Sequence, residues 1–324
     1  MAAESAWKLG GLSSKQLSNR VWREFNDDEI LDRAAALSYY FLGAMFPLLL
    51  VLFSVLGLLA ATGSKIRESV LQYLATILPP SASGLIHQTL DQIMKSSGGG
   101  KISFGLLLSL WSASAGVVGI MSALNVVYDI REQRSFLRVR AVAIGLTIAM
   151  SILVVIGLTL TLYGGNIAEM LGTHLGLGTA FVVAWKVLQW PLILFALLLS
   201  FSLLYYFGPS IRDQKWEWVT PGSVAGLVLW LAVSFGFKVY LNYFNTFSAT
   251  YGSLGAVIIL MLWLYVSGLA FLLGAEINSE IEHAAAEHGD REAKARGEIA
   301  PGVSAPRRTP VVTPPKKKEK RPAA

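Results

Sequence analysis

Cysteine is absent from the 324 residues, which excludes a disulfide framework and any thiolate-held zinc, haem or iron–sulfur site. Charge is scarce too. Asp, Glu, Lys and Arg make up 15% of the chain, where a soluble domain carries about 25%. Hydrophobic residues make up 54%, and the mean hydropathy is +0.54. Too few charges remain to cover a water-facing surface, so the composition points to an integral membrane protein. The middles of the long apolar runs hold no Asp or Glu. That counts against an intramembrane carboxylate protease and against proton coupling centred on a mid-membrane carboxylate. No Walker motif, Gly-Lys-Thr loop or nucleophile elbow is present. The four histidines, His87, His174, His283 and His288, fall in different segments or toward the tail, so no catalytic set, metal site or cofactor is expected.

What the sequence has is length in its apolar runs. A helix needs about 20 mostly apolar residues to cross the hydrocarbon core. Six stretches qualify: Ala34 to Ala61, Ile102 to Tyr128, Ala141 to Ala168, Val187 to Ile211, Trp218 to Phe237, and Leu254 to Ala275. The residues just before the sixth, Asn242 to Gly252, are too polar to span. Runs of this length predict helices, because barrel strands are shorter and alternate in polarity. The expected fold class is all-α: a polytopic membrane bundle of six transmembrane helices. Six crossings put both termini on one side, and the distribution of Lys and Arg says which. Fourteen of them lie in the N-terminal segment, the second and fourth loops and the near tail, against four (Lys65, Arg67, Lys95 and Lys101) in the loops opposite. The bias predicts that both termini are cytoplasmic. Some 33 polar and charged residues precede the first apolar run, which reads as a retained anchor rather than a cleaved signal peptide.

Three segments flank or interrupt the bundle. In 1–33, Leu17, Val21, Trp22 and Phe25 recur at helical spacing with Lys15, Arg20 and Arg23 among them. This predicts a helix either lying on the cytoplasmic membrane surface or packed on the cytosolic ends of the bundle. Asn26 and Glu29 have the spacing of a capping box opening the first membrane helix. Within the transmembrane domain, 34–283, the first outer loop (62–101) carries two apolar helical faces separated by Pro79-Pro80, and predicts a short amphipathic hairpin that lids or caps the bundle. The tail, 284–324, ends rich in Pro and Lys and predicts a disordered cytoplasmic segment. Its lysine cluster lacks interleaved aromatics, so nucleic acid is not an expected partner; solvation or contact with anionic lipid is.

Small residues should set helix contacts in lipid. Ser112, Ala115, Gly116, Gly119 and Ala123 line the second run, and Gly222 and Gly226 follow Pro221 in the fifth, so these two helices are expected at the centre of the bundle, with homo-oligomer contact through such small-residue faces as the alternative use. Pro47 and Pro191 are expected to kink their helices. Polar groups collect at both ends. At the outer end Lys186, Gln189, Lys238, Asn242 and Asn245 either snorkel to the interface or line a cationic pocket for an anionic solute or lipid headgroup. At the inner end Asp32, Arg33, Asn125, Tyr128, Arg131, Glu276 and Asn278 fall at about one depth. Pairs such as Arg33 with Glu276, or Asp32 with Arg131, would either close the inner face structurally or form a gate.

Several motifs together resemble the YihY/BrkB family of bacterial inner-membrane proteins. They are Asp32-Arg-Ala-Ala-Ala-Leu-Ser-Tyr-Tyr-Phe-Leu-Gly-Ala-Met-Phe-Pro47, Ser122-Ala-Leu-Asn-Val-Val-Tyr128 with the Arg-rich loop after it, Thr220-Pro-Gly222 with Trp230, Tyr251-Gly-Ser-Leu-Gly-Ala256, Trp263-Leu-Tyr265 and Gly274-Ala-Glu-Ile-Asn278. The resemblance implies a six-helix protein of the bacterial inner membrane, of a family linked to virulence and often described as transporters. A ribonuclease label has travelled with the family, and the scattered histidines do not support it. Three functions follow as expectations. The first is a transporter or exporter of a small, anionic or lipid-like substrate without an ATPase of its own. The second is a non-transporting scaffold or envelope-maintenance protein. The third is an enzyme acting on lipid headgroups. The lipid bilayer is the one partner common to all three.

Overall fold

The computed structural model describes residues 6–60, 99–174, 178–211, 219–243 and 253–288. The expected outer hairpin, the fourth-loop residues Arg212 and Lys215, Asn245 and the basic tail lie outside them. The described chain is helical, with no strand among the described residues. A short 3-10 helix, Ala6–Gly11, precedes α1 (Ser14–Asp27), α2 (Ile30–Ala60), α3 (Gly99–Val127), α4 (Phe136–His174), α5 (Gly178–Phe207), α6 (Pro221–Tyr243) and α7 (Ser253–Glu287). Five of these contain a stretch long and apolar enough to cross a membrane: Leu107–Val127, Phe136–Thr161, Thr179–Phe207, Pro221–Tyr243 and Val257–Glu287. The first apolar run of the sequence lies in α2, which is 31 residues long.

Local chemistry sets the helix ends. Ser13 caps α1: its hydroxyl accepts from the Gln16 amide and the Gln16 side chain accepts from the Ser13 amide. Asn26, expected to cap the next helix, instead lies inside α1 and donates to the Trp22 carbonyl at 2.8 Å. The chain turns through Asp28 and Glu29, with Glu29 in the left-handed region at φ 53°, so α2 starts at Ile30 without that box. At α6, Thr220 and Ser223 cap each other reciprocally, amide to hydroxyl, at 3.0 and 3.1 Å, and Pro221 takes the first helical position, where no amide proton is needed. Pro47 and Pro191 lie inside α2 and α5.

Helix α7 is the hub. It packs against α6, α2, α3, α1 and the 3-10 helix. It also runs to Glu287, well past the Ala275 at which its apolar run ends, with Ala284 fully buried in the extension. Helix α3 is central as expected: a Cβ on Gly116 would lie 2.9 Å from that of Ala44, and one on Gly119 would lie 2.8 Å from the Tyr40 ring. Helix α6 differs from the expectation. It is buried only at Pro221, Gly222, Ser223, Gly226 and Leu227. There the small residues do act as anticipated, since a Cβ on Gly274 would lie 2.7 Å from the Gly222 carbonyl and 2.8 Å from the Gly226 Cα. Helix α1 packs on the bundle: Leu17 and Glu24 are buried, and α1 lies against α7.

Burial is lopsided along the bundle axis. We call the end that holds α1 and the last turns of α7 the terminal face. Among the residues whose burial is described, the buried ones stop at Ser38 in α2 and at Leu227 in α6, and begin at Ala113 in α3 and at Ala196 in α5. Toward the far face the buried positions are small residues: Gly164, Ala168 and Gly172 in α4, and Gly255 in α7. Among the described residues the apolar core, which includes Leu37, Met121, Leu124, Tyr205 and Leu272, lies toward the terminal face.

Candidate functional site

At the terminal face α7 turns polar while remaining buried. Glu276 is 1% exposed and its Oε2 has no hydrogen-bond partner. Its acidic neighbours are Asp28, Glu280, Glu24 and Asp129, of which Glu24, Asp28 and Glu280 are buried as well. One turn on, Glu280 lies 3.4 Å from His283 Nδ1 and 3.9 Å from Arg20 Nη1. Arg20 also grips Glu287 through both Nη atoms, at 3.1 and 2.7 Å, so α1 and the end of α7 are tied by charge. Between these acids Ser279 donates to the Val127 carbonyl at 2.8 Å and joins α7 to the end of α3.

Asn278 serves α6. Its Nδ2 donates to Thr220 Oγ1 at 2.9 Å, and its Oδ1 accepts from the Gly222 amide at 2.8 Å. Tyr128 is buried close to Asn278, Glu276 and Glu282. Burial, and then Glu282, push its phenol well above the ordinary value of 10, so it stays protonated. Asn125 takes a different set of partners. It donates to Glu132 at 2.9 Å and accepts from the Ser210 amide at 2.7 Å. Glu132 in turn holds Arg134 through both carboxylate oxygens, at 2.8 and 2.7 Å, and Arg134 reaches the Phe207 and Gly208 carbonyls at the end of α5. Burial would raise the Glu132 carboxyl, but the hydrogen bonds from Arg134 and Asn125 outweigh it and bring the group down to about 2.

The structure thus brings Tyr128, Glu276 and Asn278 together and sends Asn125 to the neighbouring loop network. Asp32 and Arg131 are exposed. Arg33 donates to the Asp28 carbonyl at 2.9 Å. Neither the Arg33–Glu276 nor the Asp32–Arg131 pair forms, because the turn at Asp28 and Glu29 holds the Arg33 side chain back along its own chain. Glu24, Asp28, Glu280, His283 and Glu132 were not among the residues singled out from the sequence. Their one readable signal is the spacing of Glu276, Glu280 and His283 on one helical stripe.

At the far face Lys186 is exposed and lies 3.3 Å from Glu169 of α4. Gln189 is half-buried against Gly164, and its Oε1 and the neighbouring Trp185 Nε1 have no hydrogen-bond partner among the described residues. Lys238 and Asn242 are exposed on α6.

A family model described as Virulence factor BrkB matches residues 21–298, which covers α2 to α7 and the buried acids of α7. The chain belongs to the BrkB family. Among its relatives is the "Putative ribonuclease-like protein YfkH" of Bacillus subtilis, 36% identical over 76% of this chain and 88% of that protein. A "UPF0761 membrane protein" of Tolumonas auensis is 27% identical over 85% of this chain and 88% of its own. One of the same description from Xanthomonas oryzae is 26% identical over 81% of this chain and 59% of its own. No solved structure matches. The word ribonuclease belongs to the name of the Bacillus relative. In this BrkB-family chain no group of three or more His, Cys, Asp or Glu is placed to hold a metal ion among the described residues.

Proposed function

We propose that this BrkB-family protein is a transporter of the bacterial inner membrane. It crosses six times with both termini in the cytoplasm, and it moves a small anionic or lipid-like substrate without an ATPase of its own. The lopsided burial carries this reading. Among the residues whose burial is described, the buried ones of α2, α3, α5 and α6 lie toward the terminal face, where they close around Leu37, Leu124 and Leu272. A bundle sealed at its terminal end is what an outward-facing carrier needs. Lys186, Gln189, Lys238 and Asn242 lie toward the far end, with Asn245 in the adjoining segment, and supply the cationic and amide groups an anion would meet. Tyr128, Glu276 and Asn278 lie at the sealed end, where a gate would work, with Asp32, Arg33, Asn125 and Arg131 around it.

The test is flux. The purified protein in liposomes is offered a panel of anionic solutes and fluorescent anionic lipids. Transport that drops about tenfold or more in a Lys186→Ala, Lys238→Ala double variant, at unchanged thermal stability, supports the reading. A double variant that transports like the wild type removes the far-face pathway.

One observation favours a non-transporting scaffold instead. The N-terminal segment is strapped to the end of α7 by Arg20 and to the residues just before α6 by Trp7, whose Nε1 donates to the Val219 carbonyl at 3.3 Å. A strap of that kind stiffens the face that a carrier would have to open. Absence of flux for every compound in the panel would favour the scaffold. Neither reading makes the protein an enzyme, and an activity on lipid headgroups has less support than both.

A further inference from the structure

Helices α4 and α5 share a polar cluster near the far face. Lys186 Nζ of α5 lies 3.3 Å from Glu169 Oε1 of α4, and both side chains are exposed. Beside this pair α4 presents Gly164 and Gly165. The Lys186 stem lies over Gly165, where a Cβ would be 3.5 Å from Lys186 Cε. The Gln189 amide oxygen lies over Gly164 so closely that a Cβ there would collide with it, and Trp185 Nε1 is 3.8 Å from the same point. Gln189 Oε1 and Trp185 Nε1 are closed off from solvent and have no hydrogen-bond partner among the described residues. An orphaned acceptor and an orphaned donor, one helical turn apart, destabilise the fold unless a ligand uses them.

The cluster lies at the depth of the far-face headgroups. Lys186 is about 32 Å along α5 from Phe207, whose carbonyl accepts from Arg134. The hydrocarbon core is about 30 Å thick. On α4 the apolar stretch ends at Thr161, and Gly164, Gly165 and Glu169 follow it. Val183, Val187 and Leu188 leave an exposed apolar flank on α5.

The four polar groups divide evenly by chemistry. Lys186 and the Trp185 indole donate; Glu169 and the Gln189 carbonyl accept. Glu169 balances the charge of Lys186, so a lone anion would meet a carboxylate beside the amine. A zwitterion suits both. An ion pair exposed on both sides contributes little, so exchanging it for two pairs with a zwitterion is favourable. Trp185 and Gln189 are half-buried, and turning the flexible Gln189 amide outward frees both orphaned atoms.

We propose that Lys186, Trp185, Glu169 and Gln189 bind the phosphoethanolamine headgroup of a zwitterionic phospholipid in the leaflet at the far face. The ammonium meets Glu169 and the Gln189 carbonyl. The phosphate meets Lys186 and the Trp185 indole. The acyl chains lie along Val183, Val187 and Leu188. This names the class of the lipid-like substrate in the transport reading, and rests on that reading for its role.

The full chain is purified in detergent and titrated with phosphatidylethanolamine, phosphatidylcholine or phosphatidylglycerol, and bound lipid is counted by native mass spectrometry. Phosphatidylethanolamine should be retained over phosphatidylcholine, whose ammonium has no N–H, and over phosphatidylglycerol, which has no ammonium. Lys186→Gln should weaken its retention about tenfold or more, and Trp185→Phe, which removes the indole N–H, about fivefold. Glu169→Gln should change the order of preference: it leaves Lys186 unbalanced, so phosphatidylglycerol should be held at least as well as phosphatidylethanolamine. Arg138→Gln, an exposed arginine at the other end of α4, should stay within about twofold of the wild type. The proposal fails if the wild type holds phosphatidylglycerol as tightly as phosphatidylethanolamine, or if Glu169→Gln keeps the wild-type order. It fails too if Arg138→Gln loses as much as Lys186→Gln, which would mean general surface charge. Displacement of the lipid by an equal concentration of soluble phosphoethanolamine would make the site one for a free solute and overturn it as well. Retention is read without flux. The lipid preference without transport in liposomes would remove the transport reading and leave the site; transport without the preference would do the reverse.

Discussion

The Tyr205 hydroxyl of α5 donates to the Phe271 carbonyl of α7 at 2.7 Å, across a notch formed by Gly226 and Gly274. The ring reaches α7 only because both glycines lack a Cβ; one on Gly226 would lie 2.8 Å from the Tyr205 hydroxyl oxygen. Tyr205→Phe should cost about 1 kcal/mol, the net worth of one hydrogen bond. Gly274→Ala, which meets α6 as well as the hydroxyl, should cost about 1–3 kcal/mol through overpacking. Thermal unfolding in detergent should rank them in that order.

Glu132 should make stability depend on acid. Its folded carboxyl is brought down to about 2 from an ordinary 4.5, with burial opposing and the bonds from Arg134 and Asn125 prevailing. A depressed carboxyl contributes its full stability above the unfolded value and loses it as the pH falls through 4.5 toward 2. The melting temperature of the wild type should therefore exceed that of Glu132→Gln at neutral pH, and the gap should narrow through that window. A gap constant between pH 7 and pH 3 would contradict it.

Glu276→Gln separates structure from function. The side chain is buried among other acids, and its Oε2 makes no hydrogen bond. An amide of the same shape breaks no bond of that oxygen and adds no charge among the neighbouring acids, so abundance and melting temperature should be kept. If the terminal end is a gate, liposome flux should fall about tenfold or more, the scale set by a lost buried ionisable group. A sharp loss of abundance would instead make Glu276 a structural residue.

Lys186→Ala alone should leave stability within about 1 kcal/mol of the wild type, because the pair with Glu169 is exposed on both sides. A larger drop in a chemical or thermal melt would mean that the pair holds α4 to α5.

The helices could be read from the sequence because lipid imposes one requirement on every residue of a span, and runs such as Ala34 to Ala61 meet it without a charge. The notch at Gly222 was equally legible, since small residues at a spacing of four have few other uses in a membrane helix. The end of α7 was not. Glu276, Ser279, Glu280 and His283 read as the start of a polar tail, yet they are buried against α1, α3 and the 3-10 helix. Hydropathy registers the side chain and not the partner that covers it. Asn26 misled for a related reason: the spacing to Glu29 fits a cap, but the buried Glu24 and Leu17 carry α1 through Asn26 to Asp27. The contact of the Arg140 guanidinium in α4 with the Trp111 ring in α3 joins positions 29 apart through a ring face, which leaves no periodic trace.

Gly10 adopts φ +59° where the chain lies against Ile281, Ala284 and Ala285, a position closed to any side chain. The neighbouring tie from Arg20 to Glu287 spans 267 positions. During synthesis this early stretch leaves the ribosome long before its dock exists, so it must wait, undocked, while every intervening span is threaded. Closing that clasp is thus a late event in biogenesis, and protection of the early stretch from protease would report that the last helix has arrived.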